Sequence, residues 1–197
     1  IYLPESEFSV NRFLNDIHAQ QAKHKAVIAA VSEGIKLEGG NYAFESSHIV
    51  TNDAFGHAKL SGVGKMLEHI ISKEIQCKVR SIELNVMQRC SSHIASLTDI
   101  EEAAQIGGHA VLSALNGESG KMMIFKRISN NPYSIEFDTA PIENIANKIK
   151  HFPSNWISPT LNDVSPEALD YFIPLIQGEL NIETVNGMPK HFTIKRH

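Results

Sequence analysis

Apolar residues along this chain follow two spacings, one typical of helices and one typical of buried strands. An unbroken apolar run at residues 26–31 has the length of a strand that helices cover on both faces. A helix is expected before it, from Ser9 to about Lys23, with the Ser9 side chain as its amino-terminal cap. Phe8 can then pack on Phe13 across the first turn. The pattern therefore predicts a helix followed by a buried strand.

The same order of elements recurs in the middle of the chain. Apolar residues at helical spacing predict a second helix at residues 60–74, and residues 79–84 are expected to form the next strand. Residues 98–101 have the Thr-x-x-Glu pattern of a capping box. This pattern predicts a long helix through Leu115, which Gly117 is placed to end.

The last third of the chain predicts a hairpin and two further helices. Residues 121–127 and 133–138 have strand composition and are joined by a turn rich in asparagine. A short helix is expected at residues 142–149, and a final one at residues 165–176, where serine followed by proline marks the start. Earlier in the chain, residues 39–56 are polar and lack a period, which indicates a long loop or a short hairpin.

Strands that alternate with amphipathic helices are typical of α/β proteins with a mainly parallel sheet. We therefore expect a single α/β domain over residues 1–197, with a hairpin and helices in its carboxyl-terminal part. Ligands of such folds bind beyond the carboxyl ends of the strands. Glu5, Glu33 and Arg89 all fall near such ends, which makes them candidates for a binding site.

Composition and charge limit the class of protein. With 197 residues, of which 42% are hydrophobic, the chain can bury a core of its own. A net charge of -4 with mixed acidic and basic residues disfavours nucleic acid as a partner. No apolar run approaches the roughly 20 residues of a membrane span and no signal peptide is recognisable, so a cytoplasmic protein is expected. The two cysteines, Cys77 and Cys90, are expected to be reduced thiols. Because the chain opens without an initiator methionine, we expect a fragment.

Several familiar catalytic patterns are missing from the sequence. There is no GxxxxGK[ST], GxGxxG or HExxH pattern, and Gly62 and Gly64 lie within a helical period rather than directly after a strand. The histidines share no ligand spacing along one helix face, so no metal site is predicted in this chain. Neither Ser-Ser-His segment has the surroundings of a nucleophilic serine. These observations disfavour a nucleotide cradle, a zinc site and serine hydrolase chemistry.

Two arginines are the strongest candidates for chemistry. Arg80 and Arg89 stand nine positions apart, at the start and the end of a predicted strand and its turn. A guanidinium presents a rigid fork of donors that matches phosphate oxygens, so the pair can hold one doubly charged anion. The alternative is that each arginine pairs with a carboxylate such as Glu83 or Glu101. Glu5, which follows a proline, could equally cap the first helix.

Seven short segments, in a fixed order along nearly the whole chain, form a more specific pattern. They are residues 3–5, 30–35, 53–57, 80–89, 129–133, 174–179 and 187–189. In these segments the chain resembles the carboxyl-terminal part of a 6-phosphofructokinase, closest to the pyrophosphate-dependent branch. The resemblance implies the Rossmann-like, three-layer fold of that family and a place within a larger two-domain enzyme.

The resemblance also implies a reaction and a set of binding residues. The family transfers a phosphoryl group from pyrophosphate to the 1-hydroxyl of fructose 6-phosphate, a step of glycolysis, with Mg²⁺ bridging the phosphates. By position, Glu5 corresponds to the glutamate that binds sugar hydroxyls. Arg80 corresponds to the arginine that reaches the 6-phosphate, in many members from a neighbouring subunit, and Arg89 to the arginine that closes the pocket. Gln88 is assigned to the same substrate site, and a homo-oligomer is expected.

Two departures from the family pattern limit this implication. Val86 stands where relatives carry histidine or tyrosine, and Cys90 and Ser91 replace a pair of glycines common in the ATP-dependent branch. The donor loop, the general-base aspartate and the Mg²⁺ site of the family are expected upstream of Leu3. We therefore predict no catalytic residue in this chain and no activity of the chain alone. An ATP-dependent enzyme and a non-catalytic, phosphosugar-binding regulatory subunit stay open as alternatives.

Overall fold

The computed structural model describes residues 1–43 and 62–190. Contacts divide the chain into two compact units. The first unit consists of Ile1–Leu84 and His151–Pro166, and the second of Asn85–Lys150 and Glu167–His197. The single domain expected from the sequence over residues 1–197 stays a prediction.

The first unit has a compact hydrophobic core beneath its first helix. Strand β1 (Glu7–Phe8) pairs in parallel with β2 (Lys36–Leu37), and helix α1 (Val10–Gln21) lies between them in the chain. Helix α2 (Val63–Glu74) contributes three of the buried residues. The core consists of Tyr2, Phe8, Phe13, Ile17, Ile35, Ala43, Val63, Leu67 and Ile71.

Helix α1 forms where the sequence predicted it, but its amino-terminal cap differs from the prediction. The Phe8 and Phe13 rings lie 5.4 Å apart between centroids, as the predicted contact across the first turn requires. Ser9 occupies the capping position, but in the described part of the chain its side chain accepts no hydrogen bond from the helix. The helix ends at Gln21, two residues before Lys23, where its end was expected.

The strand predicted at residues 26–31 is wrong. In this run, pairing with the described residues is limited to Val31, through a parallel bridge to Tyr2, and Ile28 is 94% exposed. The Tyr2 N–H donates to the Ala30 carbonyl at 2.9 Å, and the Ser32 N–H donates to the Tyr2 carbonyl at 3.0 Å. A strand is defined by its pairing, and an apolar run with this single point of contact stays irregular.

The strand predicted at residues 79–84 is also wrong. These residues, called here the Arg80 segment, form no strand pairing with any described part of the chain. The segment instead lies against α2, which begins at Val63 after Gly62, whereas its start was expected at residue 60. Residues 44–56 of the predicted loop or hairpin lie outside the described residues, while Lys36 and Tyr42 form an antiparallel bridge just before them.

The second unit begins with helices α3 (Met87–Cys90) and α4 (Leu97–Leu115). The Ser96 hydroxyl accepts a hydrogen bond from the Asp99 N–H at 3.1 Å, so the cap of α4 is two residues earlier than the predicted capping box. Thr98 donates its hydroxyl to the Gln177 carbonyl instead, at 3.1 Å. Gly117, with a φ of +82°, follows the end of the helix as predicted.

The predicted hairpin is confirmed and is longer than expected. Strand β3 (Lys121–Asn130) pairs antiparallel with β4 (Tyr133–Pro141) across a two-residue connection. Helix α5 (Pro166–Phe172) continues as a 3₁₀ turn to Ile176, which matches the predicted final helix. The helix predicted at residues 142–149 is only a 3₁₀ turn, Ile142–Asn144.

Short strands complete the described structure. Strand β5 (Thr184–Val185) pairs antiparallel with β6 (Met188–Pro189). In the described residues, parallel pairing is limited to β1 with β2 and to the bridge between Tyr2 and Val31. No helix in this part of the chain combines the length and the apolar character needed to cross a membrane.

Candidate functional site

Glu5 is held by the backbone of a distant segment of the first unit. The Phe152 N–H donates to the Glu5 Oε1 atom at 3.0 Å, and the His151 Nδ1 atom lies 3.9 Å from the same oxygen. The Glu5 side chain is 18% exposed, and no further hydrogen bond to it occurs among the described residues. Glu5 therefore does not cap α1 there, and Oε2 has no partner from the described part of the chain.

Glu5 lines an open cleft of about 690 Å³ in the first unit. This volume is within the range of small-molecule sites. The other lining residues are Pro4, Ser6, Glu7, Lys36, Leu37, Gly40, His151, Phe152, Pro153 and Ser154. The cleft thus combines carboxylates, which accept hydrogen bonds from hydroxyl groups, with the ammonium group of Lys36 and the imidazole of His151. This set of groups can bind a small ligand that has several hydroxyls.

Two of the lining residues are fixed by contacts of their own. The Glu7 Oε1 atom accepts a hydrogen bond from the Gly39 N–H at 3.2 Å, and Gly39 has a φ of +98°. The Lys36 ammonium lies 5.1 Å from the centroid of the Tyr42 ring, within reach of a cation–π interaction. These contacts hold the turn after β2 at the edge of the cleft.

Arg80 belongs to the first unit and does not line this cleft. Arg80 is exposed, and no carboxylate among the described residues of its own unit forms an ion pair with it. The alternative that Arg80 serves to pair with Glu83 is therefore not supported. An exposed guanidinium that pairs with no described carboxylate of its unit can bind an anion from solution.

Gln88 and Arg89 belong to the second unit, in the four-residue helix α3. Both residues are exposed, and Arg89 forms no ion pair with a described carboxylate of its own unit, which includes Glu101. Val86 precedes the helix and is 65% exposed. The four predicted binding residues are thus divided between the units, with Glu5 and Arg80 in the first and Gln88 and Arg89 in the second.

Lys36 and His151 were missed by the sequence analysis. Each is separated from Glu5 by a long stretch of chain, and neither lies in a recognisable motif. The one available signal for His151 is its position directly after two closely spaced lysines, Lys148 and Lys150. A local excess of positive charge is a weak indicator of an anion site.

The Mg²⁺ ion implied by the resemblance was expected to bind residues outside this chain. No group of three or more histidine, cysteine, aspartate or glutamate side chains that could hold a metal occurs within residues 1–43 and 62–190. The described residues therefore do not fit a metal site of their own.

Comparisons with known proteins identify relatives over the whole chain. The chain is 32% identical over 197 residues, 100% of its length, to a pyrophosphate--fructose 6-phosphate 1-phosphotransferase from Halomonas elongata. It is 33% identical over 194 residues to the protein of the same name from Methylococcus capsulatus. In both cases it spans only 46% of the relative's length. No protein-family model matches the chain.

A solved structure shows the same fold. The crystal structure of a pyrophosphate-dependent phosphofructokinase from Nitrosospira multiformis superposes with a TM-score of 0.81, at 27% identity. The match covers 96% of this chain and 43% of that protein. The predicted fold class and the resemblance drawn from the seven segments are thus confirmed. The chain is a relative of the pyrophosphate-dependent phosphofructokinases and corresponds to their carboxyl-terminal part.

Proposed function

We propose that this chain, a relative of pyrophosphate-dependent phosphofructokinases along its whole length, is the sugar-phosphate side of such an enzyme. The observation that carries the proposal is the similarity over 100% of the chain to proteins named for this activity. The complete protein would transfer a phosphoryl group from pyrophosphate to fructose 6-phosphate. Because the chain spans 46% of these relatives, the donor side would lie in a polypeptide region outside it.

The proposed roles follow from the chemistry of the predicted residues. The Oε2 atom of Glu5, which has no partner among the described residues, accepts a hydrogen bond from a sugar hydroxyl, in a cleft wide enough for a phosphosugar. The guanidinium groups of Arg80 and Arg89 each suit a sugar 6-phosphate through charge-assisted hydrogen bonds, and in many family members the first of these arginines comes from a neighbouring subunit. These contacts fix the sugar while the O1 atom attacks the terminal phosphorus of pyrophosphate.

The bonds that form and break in this reaction identify the catalytic groups that are expected outside this chain. A bond forms between O1 and phosphorus, the bridging P–O bond of pyrophosphate breaks, and orthophosphate leaves. The proton of O1 passes to a general base. In the family this base is an aspartate, which is expected in the region outside the chain. Phosphoryl transfer depends mainly on positioning and charge neutralisation, so these residues contribute by orienting the acceptor.

The chain alone is expected to be inactive. The test is incubation of the purified 197-residue chain with fructose 6-phosphate, pyrophosphate and Mg²⁺, with fructose 1,6-bisphosphate as the measured product. The full-length protein is the positive control. Steady turnover by the chain alone would contradict the assignment of the donor side to another region.

Substitution of the arginines tests the acceptor site. In the full-length protein, Arg80→Ala and Arg89→Ala should each raise the KM for fructose 6-phosphate by roughly 10- to 100-fold, because each removes charge-assisted hydrogen bonds to phosphate. The KM for pyrophosphate should change little. Lys73→Ala, which removes an exposed cation from α2, is the matched control. Equal losses of affinity for both substrates would contradict the assignment.

A non-catalytic phosphosugar-binding subunit is the second candidate. The observation that favours it is Val86, an exposed apolar residue three positions before Arg89 where the family carries a hydrogen-bond donor. Such a subunit would bind fructose 6-phosphate and show no turnover in its full-length form. Calorimetric titration of the full-length protein with fructose 6-phosphate, beside the activity assay, distinguishes the two candidates.

A further inference from the structure

The Arg80 segment (79–84) is held in place by helix α2. Since the segment pairs with no strand in the described part of the chain, sheet hydrogen bonds do not fix it there. Val79, its first residue, packs against the hydrophobic core, and the polar and close backbone contacts with α2 are at two positions one helical turn apart, Gly64 and Glu68. Both positions lie on the same face of the helix.

Glu68 binds the backbone and the side chain of one residue of the segment. Its Oε2 atom accepts the Ser81 N–H at 2.9 Å and also accepts the Ser81 hydroxyl. The Lys65 ammonium donates to the same oxygen at 2.9 Å. The Ser81 hydroxyl, followed by Lys65 and the Ser81 N–H, lowers the Glu68 pKa to about 2. Glu68 is therefore ionised throughout the neutral range, and it fixes both the position and the orientation of Ser81.

Gly64 allows the segment to approach the backbone of α2. A Cβ atom at position 64 would lie 3.2 Å from the Ser81 Cβ atom and 3.3 Å from the Glu83 Cγ atom. A side chain there would crowd Ser81 and Glu83. The absence of a side chain at Gly64 thus keeps Ser81 within reach of the Glu68 carboxylate.

Arg80 directly precedes the residue that Glu68 holds. With Ser81 fixed through its N–H, the peptide that joins it to Arg80 is fixed as well. The flexible part of Arg80 is then its side chain, and a ligand needs to order only that side chain on binding. We propose that Glu68 is a positioning residue for the phosphosugar site, which holds the Arg80 segment on α2 so that the Arg80 guanidinium reaches the 6-phosphate. This inference rests on the proposed function of Arg80.

Kinetics of the full-length protein test the inference. Glu68→Ala should raise the KM for fructose 6-phosphate by roughly 10-fold while the KM for pyrophosphate stays within about 2-fold of the wild type. Glu68→Gln retains an oxygen that accepts from the Ser81 N–H, so it should recover part of the loss. Glu74→Ala is the matched control, because Glu74 is a carboxylate of the same helix whose neighbour is Lys73, at 3.7 Å. A general loss of structure would instead change the kinetic constants for both substrates to a similar extent.

Hydrogen exchange provides a readout independent of activity. The Ser81 amide, which donates to the Glu68 carboxylate, should exchange at least about 10-fold faster in Glu68→Ala than in the wild type, and only slightly faster in Glu68→Gln. Unchanged exchange in Glu68→Ala, or an unchanged KM for fructose 6-phosphate in an active protein, would overturn the inference. If the wild type itself neither binds nor phosphorylates fructose 6-phosphate, the proposed function fails, and the role of Glu68 fails with it.

Discussion

The two units of this chain differ in how their apolar residues are packed. In the described residues, the first unit contains a connected core of nine buried hydrophobic residues, whereas Ala168 is the one buried hydrophobic residue of the second. Large exposed apolar side chains are concentrated in the second unit, among them Ile94, Val111, Leu112, Leu115, Ile128, Ile149 and Ile176. Burial of apolar area is the main source of stability. The first unit can therefore supply much of its own stability, and the second relies on other contacts.

The contacts visible within the second unit are mainly local or polar. Its larger described sheet is the two-stranded hairpin β3–β4, and a hairpin on its own is marginally stable in water. The Arg127 guanidinium lies between the rings of Tyr133 and Tyr171, at 4.7 Å and 4.0 Å from their centroids. It also donates to the Tyr171 carbonyl at 2.7 Å and so ties α5 to the hairpin. These contacts order the unit without forming a core, as expected for a region that another part of a protein covers.

The largest expected difference between the units is in the stability that each loses when one of its phenylalanines is replaced by alanine. Phe13 is 1% exposed and packs on Tyr2 and Phe8, whereas Phe125 of β3 is 48% exposed. Phe13→Ala should lower the free energy of unfolding by about 3–5 kcal/mol, because it leaves a cavity in the core. Phe125→Ala should cost about 1 kcal/mol or less, as for a partly exposed site. Urea denaturation of the purified chain measures the free energy of unfolding of both variants. Equal losses of stability would contradict the inferred difference in packing between the two units.

Gly178 tests whether steric fit matters within the second unit. Its φ is +85°, and a Cβ atom there would lie 2.7 Å from the Leu97 Cβ atom. Gly178→Ala should cost about 2–4 kcal/mol, since the left-handed backbone and the overlap with Leu97 both oppose alanine. Thermal or urea unfolding measures the change.

Gly187 is the matched control for this substitution. It has a φ of +79°, and a Cβ atom added to it meets nothing within 4 Å. Gly187→Ala should therefore show only the backbone cost, about 1–2 kcal/mol. Leu97→Gly, which removes the Cβ atom that Gly178→Ala would meet, should recover part of the additional loss when the two are combined in a double-mutant cycle. If both glycine variants lose the same stability, the close approach of Gly178 to Leu97 has no energetic importance.

Two carboxylates give a smaller contrast that is confined to acid pH. The Ser113 hydroxyl and Lys121 lower the pKa of Glu118 in the second unit, and the Ser81 hydroxyl, Lys65 and the Ser81 N–H lower that of Glu68 to about 2. A folded-state pKa below the ordinary value of 4.5 adds stability above that pH, which is lost as the pH falls toward 2. Both side chains are solvated, so the effect is reduced by screening.

The measurement is the free energy of unfolding as a function of pH. Between pH values of about 4.5 and 2, Glu68→Gln should lose stability less steeply than the wild type, because glutamine does not titrate. Glu118→Gln should alter the slope less, since in the described structure Glu118 accepts no backbone N–H. Parallel curves for the wild type and Glu68→Gln would show that the Ser81 contacts do not persist in solution.

The sequence predicted those parts of the fold that depend on local patterns. Helices α1, α2 and α4 and the β3–β4 hairpin were found because their periodicity and turn residues are contained within each segment. Residues 26–31 and 79–84 were wrongly predicted as strands, because strand formation depends on a pairing partner elsewhere in the chain. Apolar composition alone does not reveal whether such a partner is present.

The candidate site shows the same limit. The family pattern predicted a role for Glu5, but its partner Phe152 is 147 positions away and belongs to no motif. Lys36 and His151 could be assigned to the cleft only from coordinates. For Arg80, the sequence indicated the chemistry of the guanidinium and missed Glu68, which lies on another element and carries no distinctive pattern. Residue type is readable from the sequence, whereas long-range neighbours are not.

Gly107→Ala is expected to have the smallest effect on stability, and it tests whether another part of the protein packs on the second unit. Gly107 lies in the middle of α4, and a Cβ atom added to it meets nothing within 4 Å. In the purified chain, Gly107→Ala should therefore stabilise by about 0.5–1 kcal/mol through helix propensity alone. Ala104→Gly, a change of opposite sense on the same helix, should cost about as much, which makes it the control.

If the remaining half of the proposed enzyme packs closely on α4, Gly107→Ala should destabilise the full-length protein, because the methyl group would meet that neighbour. Urea denaturation of both forms decides the question: a stabilising effect in the full-length protein as well would mean that this face of α4 stays uncovered, and that the sparse core of the second unit has another cause.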